Sequence, residues 1–128
     1  MHIVTGLLLI LLSSMCFAQE RYYAFQQNPL QQGRTIWLAN CEGCHGWGVG
    51  DAPIPMNPEE WRNRLLQSKE TLYSHAINSF FGPDDSMTPP RGCNDALSDN
   101  QVKSAVAYIT AIAKYQIDQS QQKAASEY

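Results

Sequence analysis

The stretch Cys41-Glu42-Gly43-Cys44-His45 decides how this chain folds. Two cysteines separated by two residues and followed at once by histidine form the attachment pattern of a c-type haem. Each thiol can add to one vinyl group of a porphyrin, and the adjacent imidazole then lies under the iron. Cys41 and Cys44 are therefore the predicted covalent anchors of one haem c, and His45 is the predicted proximal ligand of its iron.

The size and charge of the chain agree with one small haem domain. Its 128 residues are enough for a single domain. The formal net charge of -3 at pH 7 provides no basic surface of the kind that binds nucleic acid. We therefore expect no nucleic-acid partner, and we expect the two haem propionates to make the loaded protein more acidic still.

Residues 1–18 have the features of a secretory signal peptide. The mostly apolar run from Ile3 to Leu12 is too short for a membrane span of about 20 residues. Ala18 provides the small residue expected before a cut at Gln19. Covalent haem attachment takes place outside the cytoplasm, so export to the periplasm agrees with the haem motif. The alternative is a retained N-terminus or a lipid on Cys16, either of which would tether the protein to a membrane.

The mature chain is predicted to have three parts. Residues 19–27 form an N-terminal extension whose aromatic side chains are expected to pack onto the domain. Residues 28–115 form the helical haem domain, and residues 116–128 are polar and glutamine-rich, which predicts an exposed tail or a fraying helix end. No segment has a convincing strand pattern. The expected fold is all-α, with about four helices around one haem.

Capping residues mark where these helices begin. Asn28-Pro29 and Asn57-Pro58 each place a capping side chain before proline, and Ser68 is a third predicted cap. Ser98 opens a capping box at the start of the last helix. Apolar residues from Val102 to Ala113 follow three-four spacing, which predicts an amphipathic helix and not a strand.

The sixth coordination position of an iron held by His45 has three candidate ligands in the mature chain. Met87 lies in a proline-rich loop between two predicted helices, and such a loop can hold a thioether rigidly toward a metal. Met56 follows His45 closely and is harder to bring to the opposite haem face. His75 lies within a predicted helix, where a histidine is more often a packing residue. The sequence favours Met87 and leaves the other two open.

These features resemble the class I c-type cytochromes, most closely the short bacterial cytochrome c-five branch. The resemblance extends from Gly33 to about Lys114 and so covers nearly all of the predicted domain. The matching stretches are Gly33-x-x-x-Trp37, the haem motif, Ala52-Pro53, Trp61-x-x-Arg64, the run from Met87 to Gly92, and the helix around Tyr108.

The resemblance implies roles for individual residues around the haem. Met87 would be the second axial ligand through its sulfur. The carbonyl of Pro53 would accept a hydrogen bond from the other imidazole N–H of His45 and so fix its tautomer and ring plane. Trp61 and Arg64 would lie near the haem propionates, where a guanidinium offsets buried negative charge.

The resemblance also implies a helix crossing, and the chain departs from the family pattern twice. Gly33 and Trp37 would cross the last helix near Tyr108. Thr88 separates the methionine from the two prolines that usually follow it directly. Cys93 stands alone, where some relatives carry a cysteine pair that forms a disulfide. An odd cysteine in an exported protein indicates a reactive thiol or a disulfide-linked dimer, and a buried inert thiol is the alternative.

The function favoured by these observations is one-electron transfer between redox partners, without enzymatic chemistry. A His/Met-ligated iron would cycle between Fe(II) and Fe(III). Asp84 and Asp85 would place negative charge near the methionine loop, which predicts transient, salt-sensitive docking. Two alternatives remain. One is a haem sensor or small-ligand binder with a labile sixth ligand. The other is a zinc site formed by Cys41, Cys44, Cys93 and one histidine.

Overall fold

The computed structural model describes residues 20–82 and 86–127. The predicted signal at 1–18, with Cys16, and the acid pair Asp84 and Asp85 lie outside these residues. The all-α prediction is confirmed, with five helices in the described part of the chain instead of about four. They are α1 (Asn28–Asn40), α2 (Glu42–His45), α3 (Pro58–Trp61), α4 (Lys69–Asn78) and α5 (Asp99–Ser126).

Three of the predicted helix caps are present as hydrogen bonds. The side chain of Asn57 accepts from the backbone N–H of Glu59 at the start of α3. Ser68 caps α4 in the same way, and Ser98 forms the predicted capping box at the start of α5. The start of α1 differs, because Asn28 is already helical and Gln27 occupies the cap position without a side-chain bond.

The core of the domain is the crossing of α1 and α5, as the resemblance implied. A Cβ atom on Gly33 would overlap the backbone carbonyl of Ser104 and lie 3.1 Å from Cβ of Tyr108. Only glycine lets the two helices approach this closely. Trp37 and Tyr108 are fully buried beside this contact, with ring centroids 5.8 Å apart.

The N-terminal extension packs onto the domain, as its aromatic residues predicted. Tyr22 is buried against Trp37, with the two rings edge to face and their centroids 4.8 Å apart. Tyr23 stacks on Tyr115 of α5 at 4.5 Å, and its carbonyl accepts a hydrogen bond from the hydroxyl of Tyr108. Residues 20–27 therefore belong to the same core as α1 and α5.

Two expectations about regular structure need correction. A small antiparallel hairpin follows α4, in which β1 (Phe80–Phe81) pairs with β2 (Met87–Thr88). These strands are too short to show an alternating pattern in the sequence. In addition, α5 continues to Ser126 and does not end near residue 116. Its last turns are exposed, but glutamine, lysine and alanine favour the helix and no glycine or proline interrupts it.

None of the helices in the described residues is both long enough and apolar enough to cross a bilayer.

Candidate haem site

The haem motif lies at the junction of α1 and α2, with its histidine held in one orientation. Cys41 ends α1 through a hydrogen bond from its N–H to the carbonyl of Trp37. His45 ends α2, and its Nδ1 lies 3.0 Å from the carbonyl oxygen of Pro53. Because a carbonyl only accepts, Nδ1 must carry the proton. The lone pair of Nε2 is then free for a metal.

The electrostatic surroundings keep this imidazole neutral. Burial lowers the pKa of His45 more than the hydrogen bond to Pro53 raises it, and the Arg64 cation lowers it further. A neutral imidazole is the form that binds a metal ion. The Pro53 contact implied by the resemblance is therefore present, in the geometry that leaves Nε2 available.

The two motif cysteines differ in exposure but are both compatible with thioether attachment. Cys41 is partly buried, and this burial, together with the nearby Cys44, raises the pKa of its thiol to about 11. The thiol is therefore uncharged at neutral pH. A thioether is also uncharged, so attachment to a porphyrin places no new charge in this buried position. Cys44 is exposed.

The N-terminal extension holds the outer side of the motif. The hydroxyl of Tyr22 donates to a carboxylate oxygen of Glu42 at 3.0 Å, and Arg21 donates to the carbonyl of Gly46 at 2.5 Å. The guanidinium of Arg21 also lies 3.9 Å from the ring centroid of Trp47. Residues outside the predicted domain boundary at 28 thus support the segment that carries His45.

Met87 faces the same cavity from the hairpin. It is the first residue of β2 and pairs with Phe81, while Thr88 pairs with Phe80. The hydroxyl of Ser79 donates to the carbonyl of Thr88 at 2.8 Å and ties the two strands together. Thr88, the residue that departs from the family pattern, therefore extends the strand that carries Met87.

A cavity of ≈ 250 Å³ connects these groups and is lined mainly by apolar surface. The two motif thiols, the imidazole of His45 and the thioether of Met87 all line it. The predicted residues Pro53, Trp61 and Arg64 line it as well. The sequence thus identified residues from distant parts of the chain that the fold brings to one cavity.

Two buried indole N–H groups provide an independent test of whether a haem fits this cavity. Nε1 of Trp61 and Nε1 of Trp37 are buried and have no hydrogen-bond partner within the described residues. A buried donor without a partner costs about 1–3 kcal/mol. Both tryptophans line the cavity. A haem propionate is an acceptor that would satisfy such a donor, so the residues present fit the group.

Two arginines line the cavity and are held in place by backbone carbonyls. Arg64 donates to the carbonyl of Glu60. Arg91 donates to the carbonyl of Leu97 at 2.7 Å and forms an ion pair with Asp99 at 2.5 Å. Because both guanidiniums remain next to the cavity, they can offset the negative charge of propionates.

Three residues line the cavity in addition to those predicted to do so. They are Arg91, Trp37, which the resemblance placed at the helix crossing, and His75, which the sequence left open as a less favoured ligand. A signal for Trp37 was available, since a buried indole N–H requires an acceptor. Met56, by contrast, packs against the buried core and does not line the cavity.

The zinc alternative is not formed by the described residues. Cys41, Cys44 and Cys93 all line the cavity as free cysteines. However, no group of three or more histidine, cysteine, aspartate or glutamate side chains in the described part of the chain is arranged to hold a metal ion.

Comparison with known proteins agrees with this site. A family model described as cytochrome c oxidase, cbb3-type, subunit III matches residues 28–109. Cytochrome c-555 from Prosthecochloris aestuarii is 33% identical over 66% of this chain and 88% of its own length. Cytochrome c-555 from Chlorobaculum tepidum is 35% identical over 64% of this chain and 75% of its own length.

A solved structure shares the fold as well. It is described as a crystal structure of an electron transfer complex of nitrite reductase with cytochrome c. The matched chain is 28% identical, with a TM-score of 0.55, over 64% of this chain and 94% of that one.

Proposed function

This chain belongs to the matched cytochrome c family as a class I c-type cytochrome with one covalent haem c, and we propose that His45 and Met87 are the axial ligands of its iron. The chain is a monohaem electron carrier. We infer that it moves single electrons between proteins of the periplasm and makes or breaks no bond in doing so.

The observation that carries the ligand proposal is the position of His45 and Met87 on one cavity. Nδ1 of His45 is held by Pro53 at 3.0 Å, which directs the lone pair of Nε2 away from that contact. Met87 belongs to a different element, the hairpin, and lines the same space. An imidazole and a thioether on one apolar cavity are the ligand pair of an electron-transfer haem.

Each residue of the site then has a role in holding the electron-transfer centre still. The bound haem supplies the one-electron chemistry. Cys41 and Cys44 would anchor it, and His45 would keep one ring plane through Pro53. The thioether of Met87 would favour Fe(II) and so raise the reduction potential. The indole N–H of Trp61 is proposed as a propionate donor.

Partner docking is proposed at the open side of the cavity. Apart from the proposed ligand Met87, three apolar side chains of the described residues stand exposed there or next to it in the hairpin, namely Val49 (56% exposed), Phe80 (37%) and Phe81 (74%). A solved relative forms an electron transfer complex with nitrite reductase, and we propose that this chain forms a transient complex with a redox protein. If Asp84 and Asp85 steer it, transfer rates fall with rising ionic strength, and the Asp84→Asn/Asp85→Asn variant loses that dependence.

Export is proposed from residues 1–18. Fractionation and intact mass of the mature protein test this, because cleavage before Gln19 and retention or lipidation at Cys16 give different masses. The predicted product of export is a periplasmic protein that begins at Gln19.

A dimer linked through Cys93 remains a further proposal. Cys93 is exposed, as such a bridge requires. Non-reducing electrophoresis with haem staining gives a dimer band that Cys93→Ser abolishes if the bridge forms. A single monomer band contradicts it.

A haem sensor or small-ligand binder is the second candidate function, and one observation favours it. Met87 belongs to a hairpin with two residues in each strand, so few backbone pairings hold its thioether in place. Rapid binding of carbon monoxide by the reduced wild-type protein supports this candidate. Slow or absent binding supports the electron carrier.

The oxidised visible spectrum tests the ligand proposal. Sulfur ligation to ferric iron gives a weak band at the red end of the visible range. We expect that band in the wild-type protein and in Met56→Leu, and we expect Met87→Leu to lose it. Both substitutions conserve side-chain volume, so their folding costs are comparable. A band that survives in Met87→Leu contradicts the assignment.

A further inference from the structure

The histidine of α4 occupies a position that the proposed electron-transfer site leaves unused. His75 lines the same cavity as His45 and Met87. Leu72 and Ala76, three residues before it and one residue after it, line the cavity too. Because residues three and four apart share a helix face, this face of α4 is directed toward the cavity. His75 therefore belongs to the cavity wall and not to the outer surface.

The ring of His75 is held by stacking, while its nitrogens are free. It stacks on Phe80 with ring centroids 3.8 Å apart and an interplanar angle of 19°. Among the described residues neither ring nitrogen has a hydrogen-bond or ion-pair partner, in contrast to Nδ1 of His45. Imidazole is the commonest protein ligand for metals and suits iron. An unpartnered imidazole beside a haem cavity is therefore chemically competent to bind the iron.

The same hairpin holds both His75 and Met87. Phe80, which stacks on the imidazole, pairs with Thr88, the residue that follows Met87. His75 belongs to α4 and Met87 to β2, so displacement of β2 would not by itself move the helix that carries the imidazole. The two side chains are thus alternatives on one wall, carried by different elements.

The backbone on both sides of Met87 is strained. Ser79, before β1, has φ 80 and ψ 157, a region that is essentially restricted to glycine. After β2, Arg91 and Cys93 have positive φ values of 54 and 62. Each such residue costs of order 1–3 kcal/mol and persists only while its surroundings hold it. Met87 therefore lies between strained residues whose conformations depend on the contacts around them.

We propose that His75 is a reserve axial ligand, which binds the iron when Met87 is lost or displaced. The inference rests on the proposed His45/Met87 ligation and adds a second, bis-histidine state to it. No electron or proton need be added, because a neutral imidazole replaces a neutral thioether. Since thioether ligation raises the potential, the exchanged state has the lower reduction potential and is a poorer electron acceptor.

The test compares the loaded proteins Met87→Ala and Met87→Ala/His75→Phe, both in a Cys93→Ser background that removes the cavity thiol. Phenylalanine keeps a ring against Phe80. We expect Met87→Ala to give the low-spin ferric electron paramagnetic resonance signal of two imidazoles and a lowered midpoint potential. We expect the double variant to be high-spin. Reduced Met87→Ala should bind carbon monoxide at least about tenfold more slowly than the double variant, because His75 occupies the site.

The controls separate failure of this inference from failure of the ligand proposal. His75→Phe alone should retain the red sulfur band of the wild type. If the wild type lacks that band, the His45/Met87 proposal is wrong. If the wild type has it but Met87→Ala is high-spin and binds carbon monoxide as fast as the double variant, only the role of His75 is wrong. A low-spin signal that survives in the double variant also overturns that role. If the double variant does not fold, Met87→Ala/His75→Gln takes its place. Slower carbon monoxide binding by Met87→Ala than by this variant supports the role of His75, and equal rates contradict it.

Discussion

His45 and Met87 line the same cavity from walls that the fold supports very differently. The His45 wall consists of α2, the α1–α5 crossing and the N-terminal extension. In this wall Pro53 accepts a hydrogen bond from the imidazole of His45, and Tyr22 donates one to Glu42. The Met87 wall is a hairpin with two residues in each strand, flanked by strained backbone at Ser79, Arg91 and Cys93. Of the two proposed ligands, His45 is therefore held by the core of the domain and Met87 by local contacts in the hairpin.

This difference agrees with what each ligand has to do. The side that would carry the covalent anchors must stay in place whatever happens at the iron, and it adjoins the buried core of the domain. The methionine side would hold a soft ligand at the face where we propose that a partner docks. A weakly supported segment there provides the low-stability element that ligand exchange needs.

The largest expected effect comes from removing the anchors of the His45 wall. In Cys41→Ser/Cys44→Ser no thioether can form, so we expect complete loss of covalent haem, measured by the mass of the denatured protein. Cys93→Ser is the matched control and should keep one haem per chain. Covalent haem in the double variant contradicts the assignment of the anchors.

The second prediction concerns the helix crossing beneath that wall. Gly33→Val forces side-chain atoms into the backbone of Ser104, and overpacking of this kind costs about 3 kcal/mol or more of the free energy of unfolding. The measurement is guanidinium unfolding of the loaded protein. Gly43→Ala is the control, because a Cβ there meets nothing within 4 Å. Equal stability of the two variants contradicts the crossing.

The third prediction concerns strain in the Met87 wall. Ser79→Ala and Ser79→Gly both lose the hydrogen bond to Thr88, but only glycine accepts φ 80 without strain. We expect the glycine variant to be the more stable by about 1 kcal/mol, after allowance for its more flexible unfolded chain. The same unfolding experiment measures both variants. A higher free energy of unfolding for Ser79→Ala than for Ser79→Gly contradicts backbone strain at this position.

An effect of similar size is expected in the N-terminal extension. Tyr22→Phe removes one hydrogen bond to Glu42 and should cost about 1 kcal/mol of unfolding free energy at neutral pH. Burial first, and then Glu42, raises the pKa of Tyr22 from its ordinary value of 10.0 to about 12.

The pH dependence of that effect has a defined sign. A hydroxyl with a raised pKa in the folded state contributes its full stability below pH 10 and loses it as the pH rises toward about 12. The stability advantage of the wild type over Tyr22→Phe should therefore shrink in that window. An advantage that stays constant from pH 9 to about 12 contradicts the raised pKa of Tyr22, to which burial contributes more than Glu42 does.

The sequence predicted the His45 wall better than the Met87 wall, for a physical reason. The haem motif and the caps of α3, α4 and α5 depend on short-range chemistry that particular residues reveal. The Pro53 contact and the crossing at Gly33 were expected from the resemblance to class I cytochromes. The hairpin depends on pairing between Phe80 and Thr88 across residues 81–87. Strands of two residues show no periodicity, so nothing in the sequence indicated them.

The position of His75 was missed for a related reason. Its helix was predicted correctly, but a histidine in a helix is usually a packing residue. Only the fold shows that its face of α4 lines the cavity and that its ring nitrogens have no partner among residues 20–82 and 86–127. The length of α5 was missed because polar composition was interpreted as a tail, although the residues concerned favour a helix.

The methyl resonances of methionine in the reduced, loaded protein test the central claim most directly. The predicted mature chain contains Met56 and Met87, so methyl-labelled methionine gives two signals to assign through Met56→Leu and Met87→Leu. A methyl group bound over a haem is shifted far upfield by the ring current. We predict that Met87 alone gives such a signal. An ordinary position for Met87, or an upfield signal from Met56, would contradict the His45/Met87 site.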